Sequence, residues 1–185
     1  MAGERLRVLA IAGSLRRGSY NRGLIHAARE LAPASLEIES REISGIPLYD
    51  GDVEKAGFPP SVQELREAIR AADAVLIATP EYNYSVPGVL KNAIDWASRP
   101  PDQPFRDKPV AIVGATPGGF GTTRAQHHLR QSFVFLDARV LSRPELLVAG
   151  AAEKFDADGN LVDERTRKLL GELLVALEAW TRRLR

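Results

Sequence analysis

The chain has 185 residues, 44% of them apolar and 26% charged, which suits one compact domain spanning residues 1–185 with a substantial core. Its 25 Lys and Arg almost cancel 24 Asp and Glu, leaving +1, so nothing in the charge points to nucleic acid or a membrane surface. Cysteine is absent, which excludes disulfides and thiolate metal sites and agrees with a cytoplasmic setting. Met1-Ala2-Gly3-Glu4-Arg5 lacks a signal-peptide pattern and leads straight into an apolar run. No later run is long enough for a membrane helix.

Residues 7–12 (RVLAIA) read as a buried strand. Asn21 can cap a helix that carries Leu24, Ile25, Ala28 and Leu31 on one face. Residues 36–43 alternate apolar and polar, as a half-covered strand does. A long loop, 44–60, follows. Ser61 with Glu64 has the spacing of a capping box opening the next helix. Residues 74–79 (AVLIAT) form a second apolar strand, and a helix over 86–98 has Pro87 near its first turn. Residues 110–115 are a third buried strand. Thr122 or Thr123 starts a helix to about Leu136. Residues 139–141 and 145–148 read as strand pieces broken at Pro144, and Asp163 caps a final helix with Leu169, Leu170, Leu173, Leu174, Leu177 and Trp180 on its inner side.

Alternation of wholly apolar strands with helices implies a parallel sheet covered on both faces. Five strands favour the flavodoxin-like α/β order 2-1-3-4-5, a three-layer fold. In such sheets ligands bind outside the carboxyl ends of the strands, at the point where strand order reverses. That places the loops after strands one, three and four around the site, and those three loops are the most unusual segments of the chain.

The first loop reads Gly13-Ser14-Leu15-Arg16-Arg17-Gly18-Ser19-Tyr20-Asn21. It runs into a helix N-terminus, where free N–H groups and the helix dipole favour an anion. Ser14, Ser19 and Asn21 add short polar groups, and Arg16 can grip phosphate oxygens, while Arg17 is expected to face solvent. A Walker A loop would need Lys where Ser19 stands, and no G-x-G-x-x-G spacing occurs, so the ligand reads as a mononucleotide. The second loop, Thr79-Pro80-Glu81-Tyr82-Asn83-Tyr84-Ser85-Val86-Pro87, is stiffened by two prolines and suits main-chain contacts to a flat heterocycle. The third, Ala115-Thr116-Pro117-Gly118-Gly119-Phe120-Gly121, carries three glycines that let the backbone approach a ligand.

Other candidates read more plainly. His127 and His128 are adjacent on a helix and cannot chelate one metal together. Asp156-Ala157-Asp158-Gly159-Asn160 resembles a calcium loop, but Leu161 stands where glycine should and Arg167 where the bidentate Glu should; a turn is the better reading. No G-x-S-x-G elbow occurs, so a serine hydrolase is not indicated.

Taken together, the loops resemble the NADPH-dependent FMN reductase family, in its quinone and chromate reductase branch. The likeness rests on Gly13-Ser14-Leu15-Arg16 with Gly18, Ser19 and Asn21, and on the 80–87 motif. It continues through Leu90-Lys91-Asn92-Ala93-Ile94-Asp95-Trp96 and Pro47-Leu48-Tyr49-Asp50. Arg124, His128-Leu129-Arg130 and Phe135-Leu136-Asp137 complete it. The resemblance implies bound FMN, with NADPH or NADH as donor and quinones, free flavin, chromate or other small molecules as acceptors. It implies that Ser14, Leu15, Arg16, Arg17, Gly18, Ser19, Tyr20 and Asn21 hold the phosphate and ribityl end. Pro80, Glu81, Tyr82 and Asn83 would line the ring, with Thr116, Gly118 and Gly119 beside it. No side chain need act as nucleophile, because hydride would pass directly to FMN. A homodimer or homotetramer is implied, with Tyr49, Tyr84, Arg124, His127 and Glu145 near the interface. One open ring face would give ping-pong kinetics. Two other classes stay open at this point. A flavodoxin-type electron carrier would be strongly acidic for docking, unlike this chain, and a nucleotide-sensing protein would not turn over NADPH.

Overall fold

A computed structural model describes residues 4–185; the leader reading of Met1-Ala2-Gly3 lies outside the described residues. Strands β1 (Leu6–Ala12), β2 (Leu36–Arg41), β3 (Ala74–Ala78), β4 (Pro109–Ala115), β5 (Arg139–Val140) and β6 (Leu146–Val148) alternate with helices α1 (Tyr20–Leu31), α2 (Gly51–Ala56), α3 (Pro60–Ala71), α4 (Gly88–Ala97), α5 (Thr123–Phe135) and α6 (Glu164–Leu184). The sheet order is β2-β1-β3-β4-β5, all pairs parallel. The expected fifth strand is split: β5 pairs with the start of β4 and β6 with its end, on the same edge.

The period-2 pattern decides which face each residue serves. Leu6, Val8 and Ala10 join Leu24 and Ala28 of α1 and Leu170, Leu174 and Leu177 of α6 in one core. Leu9 and Ile11 join Leu65 and Ile69 of α3, Leu90 and Ala93 of α4, and Leu129 and Phe133 of α5 in the other. Strands β3 and β4 are buried throughout, because helices cover both of their faces. No helix among the described residues is long and apolar enough to cross a membrane.

Three local expectations are corrected by tertiary contacts. Helix α1 is capped by Ser19, whose hydroxyl accepts from Asn21 N at 3.2 Å, and not by Asn21 itself. The capping box at Ser61 does not form: α3 begins at Pro60, the Ser61 hydroxyl donates to Gly45 O at 3.2 Å, and Glu64 pairs with Arg41 at 3.0 Å. The 44–60 loop contains α2, capped by the Asp50 carboxylate accepting from Asp52 N at 2.8 Å. The other proposed helix starts agree with the structure at Asp163, which accepts from Thr166 N at 2.8 Å.

Asp156 uses its carboxylate on its own turn, accepting from Asp158 N at 3.0 Å and Asn160 N at 2.8 Å. That turn presses on α1. A Cβ at Gly23 would lie 2.3 Å from Gly159 O and 2.8 Å from the Phe155 ring. Gly23→Ala would gain ~0.5–1 kcal/mol of helix propensity, but steric overlap with a backbone carbonyl costs about 1–3 kcal/mol. Thermal unfolding of the variant should therefore show a Tm lowered by about 2–4 °C for each net kcal/mol lost; an unchanged or raised Tm would show that the turn is not packed there.

Candidate active site

The carboxyl ends of β1, β3 and β4 stand side by side, with Ala12 opposite Ala78 and Ala78 opposite Val113. Main-chain bonds carry this alignment into the loops: Gly13 N donates to Ala78 O at 2.8 Å, and Thr79 N to Val113 O at 2.9 Å. Loop 1 (residues 13–19), loop 2 (79–87) and loop 3 (116–122) therefore converge at the reversal of strand order.

Loop 1 is fixed by its own polar groups. The Ser14 hydroxyl, 4% exposed, accepts from Arg16 N at 3.3 Å, and Ser19 N donates to Arg16 O at 3.2 Å. This folding leaves the N–H groups of Leu15, Arg17, Gly18 and Tyr20 without an acceptor among the described residues. Together with the start of α1 they make a nest of donors suited to an anion. Leu15, Arg16, Arg17 and Gly18 are exposed, whereas Ser19 and Asn21 are buried. The Arg16 guanidinium carbon lies 5.5 Å from the centre of the Tyr20 ring, over the start of α1. Arg17 instead lines a groove of about 770 Å³ running toward the 156–160 turn.

Asn21 has a different task from the one its loop suggests. Its amide donates to Ala115 O and accepts from Ala115 N, both at 2.9 Å, so it ties α1 to the end of β4. Loop 3 is braced from behind: Thr116 N donates to Val148 O at 3.0 Å, and Ala151 N donates to Thr116 O at 3.0 Å. Gly118 N donates to Thr116 Oγ1 at 3.4 Å. Gly118 and Gly119 are exposed, and no protein atom closely contacts the place a side chain would take at either.

Loop 2 is a tight hairpin. Tyr82 and Ser85 exchange main-chain hydrogen bonds at 3.0 and 2.9 Å, with Asn83 at φ 48° and Tyr84 at φ 67°. Two successive positive φ values are what a two-residue turn of this twist requires, and asparagine tolerates the first. Pro80 is buried, Tyr82 is half exposed, and its hydroxyl lies 3.4 Å from Ser14 Oγ, so loops 1 and 2 touch. The Ser85 hydroxyl pairs with His128 Nδ1 at 2.9 Å on the surface of α5.

Glu81 joins loop 2 to α5. Its carboxylate accepts from Arg124 N at 2.9 Å, Ala125 N at 3.1 Å and Arg124 Nη1 at 2.6 Å. These are orphan donors of the first turn, and the helix's own cap, Thr122, supplies no side-chain bond. Burial opposes the charge on Glu81, but the hydrogen bonds from Arg124 and the Ala125 N–H outweigh it and hold the carboxyl below its ordinary value of 4.5. The Arg124 guanidinium carbon is 3.7 Å from the Tyr84 ring centre and 4.9 Å from that of Phe120, one ring from each loop. With its carboxylate engaged, Glu81 has its main chain left for a ligand.

Residues that sequence reading did not assign prove to be braces. Asn92 accepts from Tyr49 N and donates to Pro47 O, both at 2.8 Å, and Trp96 Nε1 donates to Pro47 O at 2.9 Å. The 90–96 motif thus holds the 47–49 stretch against α4. The 149–151 turn behind loop 3 carries no local signal at all.

Comparisons with known proteins identify the family and the fold. A family model described as NADPH-dependent FMN reductase matches residues 6–153. The chain is 58% identical over 180 residues to an NAD(P)H-dependent FMN reductase of Pseudomonas aeruginosa, covering 97% of each. It is 47% identical over 185 residues to a quinone reductase of Escherichia coli K12, covering 98% of each. Among solved structures, FerB, a flavoenzyme NAD(P)H:(acceptor) oxidoreductase from Paracoccus denitrificans, superposes with a TM-score of 0.87 at 38% identity, over 96% of this chain and 98% of that one.

Proposed function

The chain belongs to the NADPH-dependent FMN reductase family, and from that premise we propose that the crevice between its three loops holds one FMN and serves as the active site. The protein is an FMN-dependent NAD(P)H oxidoreductase that reduces quinones, flavin or similar small acceptors. The observation that carries the site is the donor nest of loop 1, four free N–H groups at a helix start, at the one end of the sheet where loops 2 and 3 also converge. Bound FMN supplies the redox chemistry, between a nicotinamide and an acceptor.

The chain's residues then have distinct tasks. Ser14, Ser19 and the N–H groups of 15–20 bind the phosphate and ribityl end, and Arg16 closes on the phosphate. Asn21 positions loop 1 through Ala115. The main chain of Pro80, Glu81, Tyr82 and Asn83 would line the ring, with Thr116, Gly118 and Gly119 beside it. No protein group is required as acid, base or nucleophile. We read residues 1–185 as one domain acting in the cytoplasm.

With one ring face open, donor and acceptor would have to use it in turn, because stacking at roughly 3–3.5 Å leaves no room for both. The purified protein should release FMN and not FAD on heating, and should oxidise NADPH when a quinone is added. Initial rates over a grid of both substrates should give parallel double-reciprocal lines. Absence of flavin uptake or of NADPH oxidation would sink the assignment; intersecting lines would remove only the shared face.

The exposed aromatic side chains suggest where copies meet. Tyr84 is 68% exposed and Phe120 74%, both stacked on Arg124, with His127 exposed on the same helix as Arg124. Tyr49 is also exposed, and Glu145 is partly so. We place the contact of a homodimer or homotetramer along this rim. Light scattering of FMN-loaded protein at micromolar concentration should report at least a dimer; a monomer would contradict it.

A further inference from the structure

One concavity of about 180 Å³ has no task in this reading. It lies on the far side of loop 1, outside the carboxyl ends of β1 and β2. Ala12, Ile25 and Ile43 give it an apolar lining, and Ser14 and Leu15 of loop 1 line it too. Arg22, His26 and Arg29 recur at i, i+4 and i+7 on α1, which brings them to one stripe along its side. Arg41 and Glu42, at the end of β2, complete the rim.

The charges there are unequal: three guanidinium groups line the space against one carboxylate. Arg22 pairs with Glu42, yet its Nε is sealed from solvent without an acceptor. Arg29 pairs with no carboxylate among the described residues, since its neighbour Glu30 is taken by His26 and by Arg167, each at 3.2 Å. Arg41 meets Glu64 at 3.0 Å in an exposed pair, which yields readily to a stronger anion.

We propose that this concavity receives the phosphorylated adenosine end of NADPH, with the 2′-phosphate among Arg22, Arg29 and Arg41 and a ribose hydroxyl donating to Glu42. The proposal rests on the crevice being the site of hydride transfer. In dinucleotide-binding sheets a carboxylate at the end of the second strand reads ribose hydroxyls and a nearby arginine accepts a 2′-phosphate; this chain lacks their glycine fingerprint but offers the same pair of groups at the same strand end. Arg41 and Glu42 put both groups there. Ser14 and Leu15 belong both to this concavity and to the proposed FMN loop, so a dinucleotide held here reaches the flavin along loop 1. Leu15, 46% exposed, offers it an apolar surface. The volume takes a phosphate and part of a ribose, so the base rests at the open mouth.

The test uses FMN-loaded protein and two probes that cannot donate hydride, 2′,5′-ADP and 5′-AMP, titrated calorimetrically. Wild type should bind 2′,5′-ADP at least tenfold more tightly than 5′-AMP. The double variant Arg29→Ala/Arg41→Ala should erase that margin and lower the ratio of kcat/KM for NADPH to that for NADH at least tenfold, through KM and not kcat. Arg143→Ala, an exposed arginine elsewhere, should leave both readings as they are. Equal binding of the two probes by wild type, or an unchanged NADPH to NADH ratio in the double variant, would overturn the proposal while leaving the crevice assignment intact. Failure of wild type to retain FMN or oxidise either nucleotide would overturn the crevice assignment and this inference together.

Discussion

In a Glu81→Ala variant we expect a loss of about 3 kcal/mol of folding stability, with FMN uptake weakened in step. The carboxylate is 9% exposed and receives three hydrogen bonds from Arg124 and Ala125. Its removal leaves two helix N–H groups without acceptors and strands the Arg124 charge between two rings. Arg124 is itself 29% exposed, so water relieves part of the penalty and the lower end of the range for a broken buried pair applies. For a chain of this length the loss corresponds to a Tm lowered by roughly 6–12 °C. The effect reaches the flavin because Glu81 fixes loop 2 to the start of α5 and so sets the gap to loop 3. The pH dependence follows from the depressed carboxyl. Its contribution is complete above the ordinary value of 4.5 and disappears as pH falls through the lower folded value. Urea unfolding of wild type and variant at neutral and acid pH, with flavin titration alongside, measures all of this. Equal stabilities at neutral pH would show that the staple contributes nothing.

Arg16→Ala should weaken FMN binding on the order of 10- to 150-fold, since a charge-assisted hydrogen bond to phosphate contributes roughly 1.5–3 kcal/mol. Arg17→Ala should matter much less. The two neighbours have the same chemistry and both are exposed, but their surroundings differ. Arg16 folds over Tyr20 at the start of α1, next to the free N–H groups, whereas Arg17 lines the outer groove with Asp156 and Asp158. Fluorescence titration of apoprotein with FMN separates them. Equal losses at both positions would mean that the phosphate sits elsewhere on loop 1. Neither substitution removes a packing contact of the core, so thermal stability in the absence of flavin should stay close to wild type, which keeps the binding result interpretable.

What the sequence determined by itself is the scaffold and the family of the protein. Hydrophobic period is a local property: the apolar runs at 74–79 and 110–115 read as strands covered on both faces, and their alternation with helices favours the 2-1-3-4-5 order, since the right-handed crossover rule leaves few competing topologies. Loop chemistry is local too. The strand, polar loop and helix start around Ser14 and Ser19 are contiguous, so an anion site could be read directly. What only the tertiary structure decided is which polar side chains remain for a ligand. Asn21 is drawn to Ala115, 94 residues away, and Glu81 to Arg124, 43 residues away, and neither partner leaves a mark in its local sequence. Ser61 and Glu64 have perfect spacing for a capping box, yet Gly45 and Arg41 take them instead. The same holds for the arginines of α1, whose stripe is legible as spacing but becomes a lined concavity only where β2 ends beside it. A buried hydrogen-bonding group must find a partner wherever the fold puts one, and chain distance does not enter that choice.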